Sequence, residues 1–121
     1  IDLVSCREPL IACVDCKHWR HGWTRAAIIK AVEAQIERTR SFAEALPDYC
    51  GKVGLAKWKN ATIIPLILSL TSGAFKLQDD VPIVSMPQIQ DFINTLPIEA
   101  RQLKHFNKKL IVFQRNLTDC C

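Results

Sequence analysis

Ala61-Thr62-Ile63-Ile64-Pro65-Leu66-Ile67-Leu68-Ser69-Leu70 is the richest apolar run in the chain, and its reading decides the fold class. A run that is apolar on every side is buried on every side, and periodicity alone does not separate a buried helix from a buried strand. Thr62 as N-cap would place Pro65 in the first helical turn, where proline is tolerated. The Leu-rich continuation and the Ser72-Gly73 stop favour that helix. Ile63, Ile64 and Ile67 are β-branched and leave a buried strand as the alternative. The helix is the preferred reading.

The flanking segments read the same way. Thr24 caps a helix over Arg25 to Leu46, in which Ile28, Ile29, Val32, Ile36, Thr39, Ala43 and Leu46 recur at helical spacing. Leu10 to Arg20 reads as a short helix after Pro9, stopped at His21-Gly22. Gln78 to Pro82 reads as a loop with an acidic corner at Asp79-Asp80. Ser85 and Gln88 have capping-box spacing ahead of Ile89, Phe92, Ile93 and Leu96. Leu103, Phe106, Leu110, Phe113 and Leu117 continue the three-four spacing, with a strand at Leu110 to Phe113 as the weaker option. The predicted fold is all-α, a compact disulfide-linked bundle of four to five helices forming a single domain over residues 1–121. Trp19, Trp23 and Trp58 are expected to help fill its core.

The chain has 121 residues, 49% of them apolar and 23% charged, which are globular values that exclude long disorder. No window of about 18 apolar residues is free of charge, so no membrane span is expected. The first residues lack the basic start and apolar core of a signal peptide, so a secreted product is expected in processed form.

Six cysteines at this density predict disulfides and an oxidising compartment. They are Cys6, Cys13, Cys16, Cys50, Cys120 and Cys121. If Cys120 and Cys121 each bridge to an earlier cysteine, each bond closes a long loop and stabilises by about 4 kcal/mol in the chain-entropy picture. Asn60 and Asn116 stand in glycosylation sequons and agree with secretion. Cys13-Val14-Asp15-Cys16 has redox spacing but no strand–helix–strand unit around it. Adding His18 and His21 would crowd four zinc ligands into nine residues, unlike the separated pairs of zinc fingers. Neither reading displaces structural disulfides, and no metal or other cofactor is expected.

Gly-rich phosphate loops, the nucleophile elbow and the His-Glu-x-x-His helix are all absent from the sequence. His18, His21 and His105 are the three histidines, and no carboxylate partner is evident for His105. The expectation is therefore a non-enzyme with no catalytic residues. The net charge is +4 and the basic residues cluster. Disulfides joining the chain ends would bring Lys17, Arg20 and Arg25 toward Arg101, Lys104, Lys108 and Lys109. Such a basic face would steer association with an acidic partner. The candidate partners are a protein surface, a sulfated glycan or nucleic acid, and nucleic acid is the least expected because secretion is expected and no binding motif is recognisable.

Cys6, Cys13 and Cys16 near the start, Cys50 after a long helix and the terminal Cys120-Cys121 pair give the chain an architecture that resembles the anopheline mosquito salivary inhibitor family (anophensin- and albicin-like). The resemblance spans the whole chain without a shared motif. It implies a secreted, extracellular, monomeric protein that binds and inhibits a host defence cascade. The target would be the alternative-pathway complement convertase or kallikrein in contact activation, so the partner is a host plasma protein or protease complex. A carrier or scavenger of a small hydrophobic ligand and a secreted toxin or effector are the alternatives.

Overall fold

The computed structural model describes residues 2–19, 23–49, 51–52, 54–55, 57–70 and 73–110. The chain is not an all-α bundle. It is a mixed α/β domain, a six-stranded sheet with one long helix on one face and a shorter helix on the other. The strands are β1 (Leu3–Arg7), β2 (Leu10–Lys17), β3 (Asn60–Ser69), β4 (Lys76–Gln78), β5 (Val81–Ser85) and β6 (Phe106–Lys109). The helices are α1 (Arg25–Tyr49) and α2 (Ile89–Glu99). The sheet order is β1-β2-β3-β5-β4, and β6 pairs with the first half of β3.

The run 61–70 is the central strand β3. It is apolar all round because helices cover both faces: Ile63 and Ile67 pack under α1, whereas Ile64, Leu66 and Leu68 pack under α2. Sandwiching removes the period-two signal that marks a half-exposed strand. The same effect hides β2, whose Ile11 and Cys13 face α1 while Ala12 and Val14 face α2. Leu10–Lys17, the larger part of the short helix expected over Leu10 to Arg20, is thus a strand. β2 and β3 are parallel, from Leu10↔Thr62 to Lys17↔Ser69, and α1 is the crossover between them.

Pro65 is unusual inside a central strand. The Thr62 N–H donates to the Pro9 carbonyl and the Leu70 N–H to the Lys17 carbonyl, so even-numbered residues of β3 point their backbone groups at β2. Pro65 therefore points the other way. On that side β6 pairing ends at Ile63 and β5 pairing begins at Ile67. The missing N–H falls in the gap.

α1 covers the expected range and extends three residues beyond it, burying Ile28, Ala31, Val32, Gln35, Thr39, Ala43 and Leu46. Asp79 and Asp80 both have positive φ, 53° and 63°, and make the tight hairpin between β4 and β5. The Ser85–Gln88 cap is present, with Gln88 Oε1 accepting from the Ser85 hydroxyl at 2.9 Å, and it opens a 3₁₀ turn that runs into α2. Trp19 and Trp23 pack edge to face beside the α1 core, and Trp58 packs against the neighbouring cluster. Phe113 and Leu117 lie outside the described residues.

Cys6, Cys13 and Cys16 are free thiols, so the described residues contain no disulfide. Cys6 lies on the edge strand β1, Cys13 is buried under α1, and Cys16 faces the opposite side of β2. Cys50, Cys120 and Cys121 lie outside the described residues. The disulfide-linked helical bundle is corrected with the fold class: the core is a two-faced sheet, and the described cysteines are free thiols.

Candidate functional site

The strand β2 ends in Asp15-Cys16-Lys17. Residues two apart in a strand share a face. Asp15 and Lys17 therefore both project to the α1 side, following Ile11 and Cys13. Asp15 is 5% exposed, and an almost fully buried carboxylate is costly unless compensated. Its Oδ2 lies 3.2 Å from Lys17 Nζ and 3.6 Å from an Arg38 guanidinium nitrogen on α1. Neither contact has hydrogen-bond geometry, and Oδ2 is buried without a hydrogen-bond donor.

A second carboxylate stands beside it. The Asp2 N–H donates to the Val14 carbonyl, one residue off the β1–β2 ladder, which runs from Leu3↔Val14 to Arg7↔Leu10. Asp2 Oδ2 accepts the Cys16 N–H at 2.8 Å. That backbone donor, foremost, holds the Asp2 carboxyl below the usual carboxylate range, with a smaller contribution from the Asp15 side chain. Asp2, on the Cys16 N–H, and Asp15, flanked by Lys17 and Arg38, thus both lie toward the C-terminal end of β2.

Gln35 fixes the strands beside Asp15. It is fully buried on α1, and its Nε2 donates to the Cys13 carbonyl at 2.7 Å and reaches the Leu66 carbonyl at 3.5 Å. One side chain thus ties the helix to two neighbouring strands. At the same end of β3, the Trp23 indole N–H donates to Ser69 Oγ at 2.6 Å.

Among the described residues, no three His, Cys, Asp or Glu side chains lie together as a metal cage. The two carboxylates are Asp2, which is exposed, and Asp15, which is buried and already faces Lys17 and Arg38. Mg²⁺-type ions use one or two protein carboxylates and take their remaining ligands from water and phosphate.

The expected basic face is not assembled. Lys17 and exposed Arg25 lie where β2 ends and α1 begins. Lys108 and Lys109 pair with Ala61 and Asn60 at the opposite end of β3, roughly 25 Å away along the strand. Arg101 follows α2 on the other face and lines a surface cavity with Arg7 and His105. The Lys104 N–H donates to the Asp80 carbonyl. Arg20 and Asn116 lie outside the described residues, and Asn60 is the exposed first residue of β3. An apolar cavity of about 160 Å³ lies between β1 and α2, lined by Leu3, Leu66, Ile93 and Leu96 among others. A carrier pocket is expected to hold about 300 Å³ or more.

Sequence periodicity singles out neither Asp2 nor Asp15. The signal that could have found them is an acid and a lysine two apart at the end of an apolar strand, with another acid thirteen residues upstream. No family model, no curated protein and no solved structure matches the chain. Among the described residues no helix is long and apolar enough to cross a membrane.

Proposed function

We propose that the chain is a divalent-metal-dependent hydrolase of phosphodiester bonds in nucleic acid. The supporting observation is the placing of Asp2 and Asp15 toward the end of β2 with Lys17 beside Asp15, which is buried and whose Oδ2 lacks a hydrogen-bond donor. Neighbouring carboxylates repel unless positive charge compensates them, and Lys17 and Arg38 supply two such charges at Asp15. Oxygen donors suit Mg²⁺ or Mn²⁺. Bound there, the cation would neutralise charge on the phosphoryl group and lower the pKa of a coordinated water.

The protein's own groups supply the rest. Asp15 is held by β2–β3 pairing and the Gln35 tie, and Asp2 by its bond to the Cys16 N–H. Lys17 offers an ammonium to a phosphate oxygen as negative charge develops in the transition state. In the hydrolysis the water oxygen bonds to phosphorus and the P–O bond to the leaving sugar oxygen breaks. The water proton reaches that oxygen through solvent.

Charge selects the polymer. Lys17, Arg25 and Lys30 follow one another with no acid between them, and Arg38 joins Lys17 at the carboxylates. A phosphate backbone is bound by such clusters through counterion release. This reading departs from the expected non-enzyme that avoids nucleic acid. Cascade inhibition was the expectation carried by the family resemblance, and the described residues contain neither the helical bundle nor the disulfides expected with it.

The test is incubation of a fluorescent oligonucleotide duplex and of plasmid DNA with the purified chain in Mg²⁺ or Mn²⁺. Cleavage is expected from the wild type and is expected to vanish with EDTA, with Asp15→Asn and with Lys17→Ala. Equal cleavage by Asp15→Asn and wild type would overturn the assignment.

A further inference from the structure

The opposite end of the sheet carries a row of side chains set apart from Asp15. Strand register makes Arg7 the partner of Leu10, Leu10 the partner of Thr62, and Thr62 the partner of Asn107. Cross-strand partners project to one face, and Leu10 packs on the α2 side. Arg7, Leu10, Thr62 and Asn107 thus cross β1, β2, β3 and β6 in one line, roughly 14 Å long at about 4.8 Å per strand. Leu10 lies roughly 16 Å along β2 from Asp15. The row is the floor of an open cavity of about 700 Å³. Small-molecule sites hold roughly 300–1,000 Å³. The wall comes from the end of α2 and the chain after it, through Pro97, Arg101 and His105.

The polar groups left over in this cavity define a ligand. Arg7 and Arg101 are exposed, and among the described residues neither is in an ion pair. Glu8 lines the same cavity, so one carboxylate stands against two guanidiniums and an excess of positive charge remains. His105 Nδ1 lies 2.8 Å from the Leu103 carbonyl. A carbonyl only accepts, so Nδ1 carries the proton and Nε2 of the neutral ring is an acceptor. The Thr62 hydroxyl donates to Asn107 Oδ1 at 3.0 Å, which leaves the Asn107 amide N–H groups as donors. Two guanidinium forks fit the oxygens of a phosphate. An imidazole acceptor and a carboxylate beside them fit hydroxyl donors. Leu10 and Pro97 add apolar surface for a ring.

From this row and its wall we propose a binding site for a small phosphomonoester carried on a hydroxylated ring, the chemistry shared by sugar phosphates and nucleoside monophosphates. Arg7 and Arg101 take the phosphate. His105 Nε2 and Glu8 accept from ring hydroxyls, and Asn107 donates to a ring oxygen. The site is separate from the carboxylates of the hydrolase reading and does not depend on it.

The experiment is calorimetric titration of the purified chain, in EDTA, with ribose 5-phosphate, adenosine monophosphate, ribose and inorganic phosphate. At least one of the two esters is expected to bind with a Kd below about 1 mM. It is expected to bind at least about tenfold more tightly than ribose or inorganic phosphate, because each supplies only part of the contacts. Arg7→Gln and Arg101→Gln are each expected to weaken ester binding about tenfold, the range for losing one charge-assisted hydrogen bond. His105→Ala is expected to weaken it less. Lys76→Gln removes one positive charge from β4, at the far edge of the sheet, and is expected to leave binding unchanged. These side chains are exposed or half-buried, so the variants are expected to fold, as circular dichroism would verify. Tighter binding of adenosine monophosphate than of ribose 5-phosphate supports the site and assigns the base to its apolar rim. Equal or weaker binding supports the site with the sugar phosphate as the recognised part. The proposal is overturned if neither ester binds to wild type, if inorganic phosphate binds as tightly as the esters, or if Lys76→Gln loses as much affinity as the arginine variants.

Discussion

The Asp2 carboxylate accepts the Cys16 backbone N–H at 2.8 Å, just ahead of the first residue of β1, where β2 runs on toward Lys17. The contact satisfies a strand donor that would otherwise lack a neighbour. It also holds Asp2 against the end of β2. The charged form of Asp2 is favoured chiefly by this bond, so its pKa is lowered in the folded chain. A depressed carboxylate pKa contributes stability above the unfolded value and loses it as pH falls through the folded value. Asp2→Asn is therefore expected to be less stable than wild type at pH 7, with the gap closing as pH drops below 4. Urea midpoints at pH 7, 5 and 3 would check this. A gap that widens on acidification would contradict it.

Gln35 buries a side-chain amide completely and donates to the Cys13 carbonyl at 2.7 Å. Gln35→Leu keeps the volume and removes the donor, at an expected cost of about 1–2 kcal/mol. Gln35→Ala adds a cavity, and about 2–4 kcal/mol is expected. Both changes loosen the strands under Asp15, so DNA cleavage is expected to fall further than the stability loss alone explains. Activity at a temperature where each variant is fully folded separates the two effects.

The long helix and the Ser85–Gln88 cap were legible in the sequence, because each rests on local chemistry: a 3.6-residue apolar stripe and a side chain reaching three residues. β2 and β3 were not, because burial on both faces makes Ile11 to Val14 and Ile63 to Leu68 uniformly apolar. The site followed the strand. Read on a helix, Asp15 and Lys17 would point in nearly opposite directions. Read on a strand, they share a face. Cys13 and Cys16 drew the same residues into redox and metal motifs, although in a strand those two thiols point to opposite faces.

Pro65 leads to a counterintuitive expectation. Removing a proline from a central strand ordinarily restores a ladder bond. Here the restored N–H of Pro65→Ala would face the buried gap between β6 and β5, where no strand accepts it. Destabilisation by about 1–3 kcal/mol is expected. Moving the proline one position, as Leu66→Pro, would instead remove a donor that points at β2 and is expected to prevent folding. Thermal melts of the two variants would test the parity of β3, and a stabilised Pro65→Ala would refute it.

The thiols offer a test of the fold that does not depend on function. Cys6 is exposed on the edge strand, whereas Cys13 is fully buried under α1. Burial pushes the Cys13 thiol up to about 12. A thiol labels through its thiolate, so Cys13 is doubly protected by low access and by protonation. In native conditions at pH 8, a maleimide or Ellman-type reagent is expected to modify Cys6 promptly and Cys13 only after denaturation. The pH dependence follows with a definite sign. A group whose folded pKa is raised contributes stability that is intact below the unfolded value near 9 and is lost as pH rises through the folded value. The chain is therefore expected to become easier to unfold by up to about 1.4 kcal/mol per pH unit above pH 9. Cys13→Ala or Cys13→Ser is expected to lack that slope. Peptide mapping that found Cys13 joined to Cys6 or Cys16 would overturn both the free-thiol assignment and this alkaline behaviour.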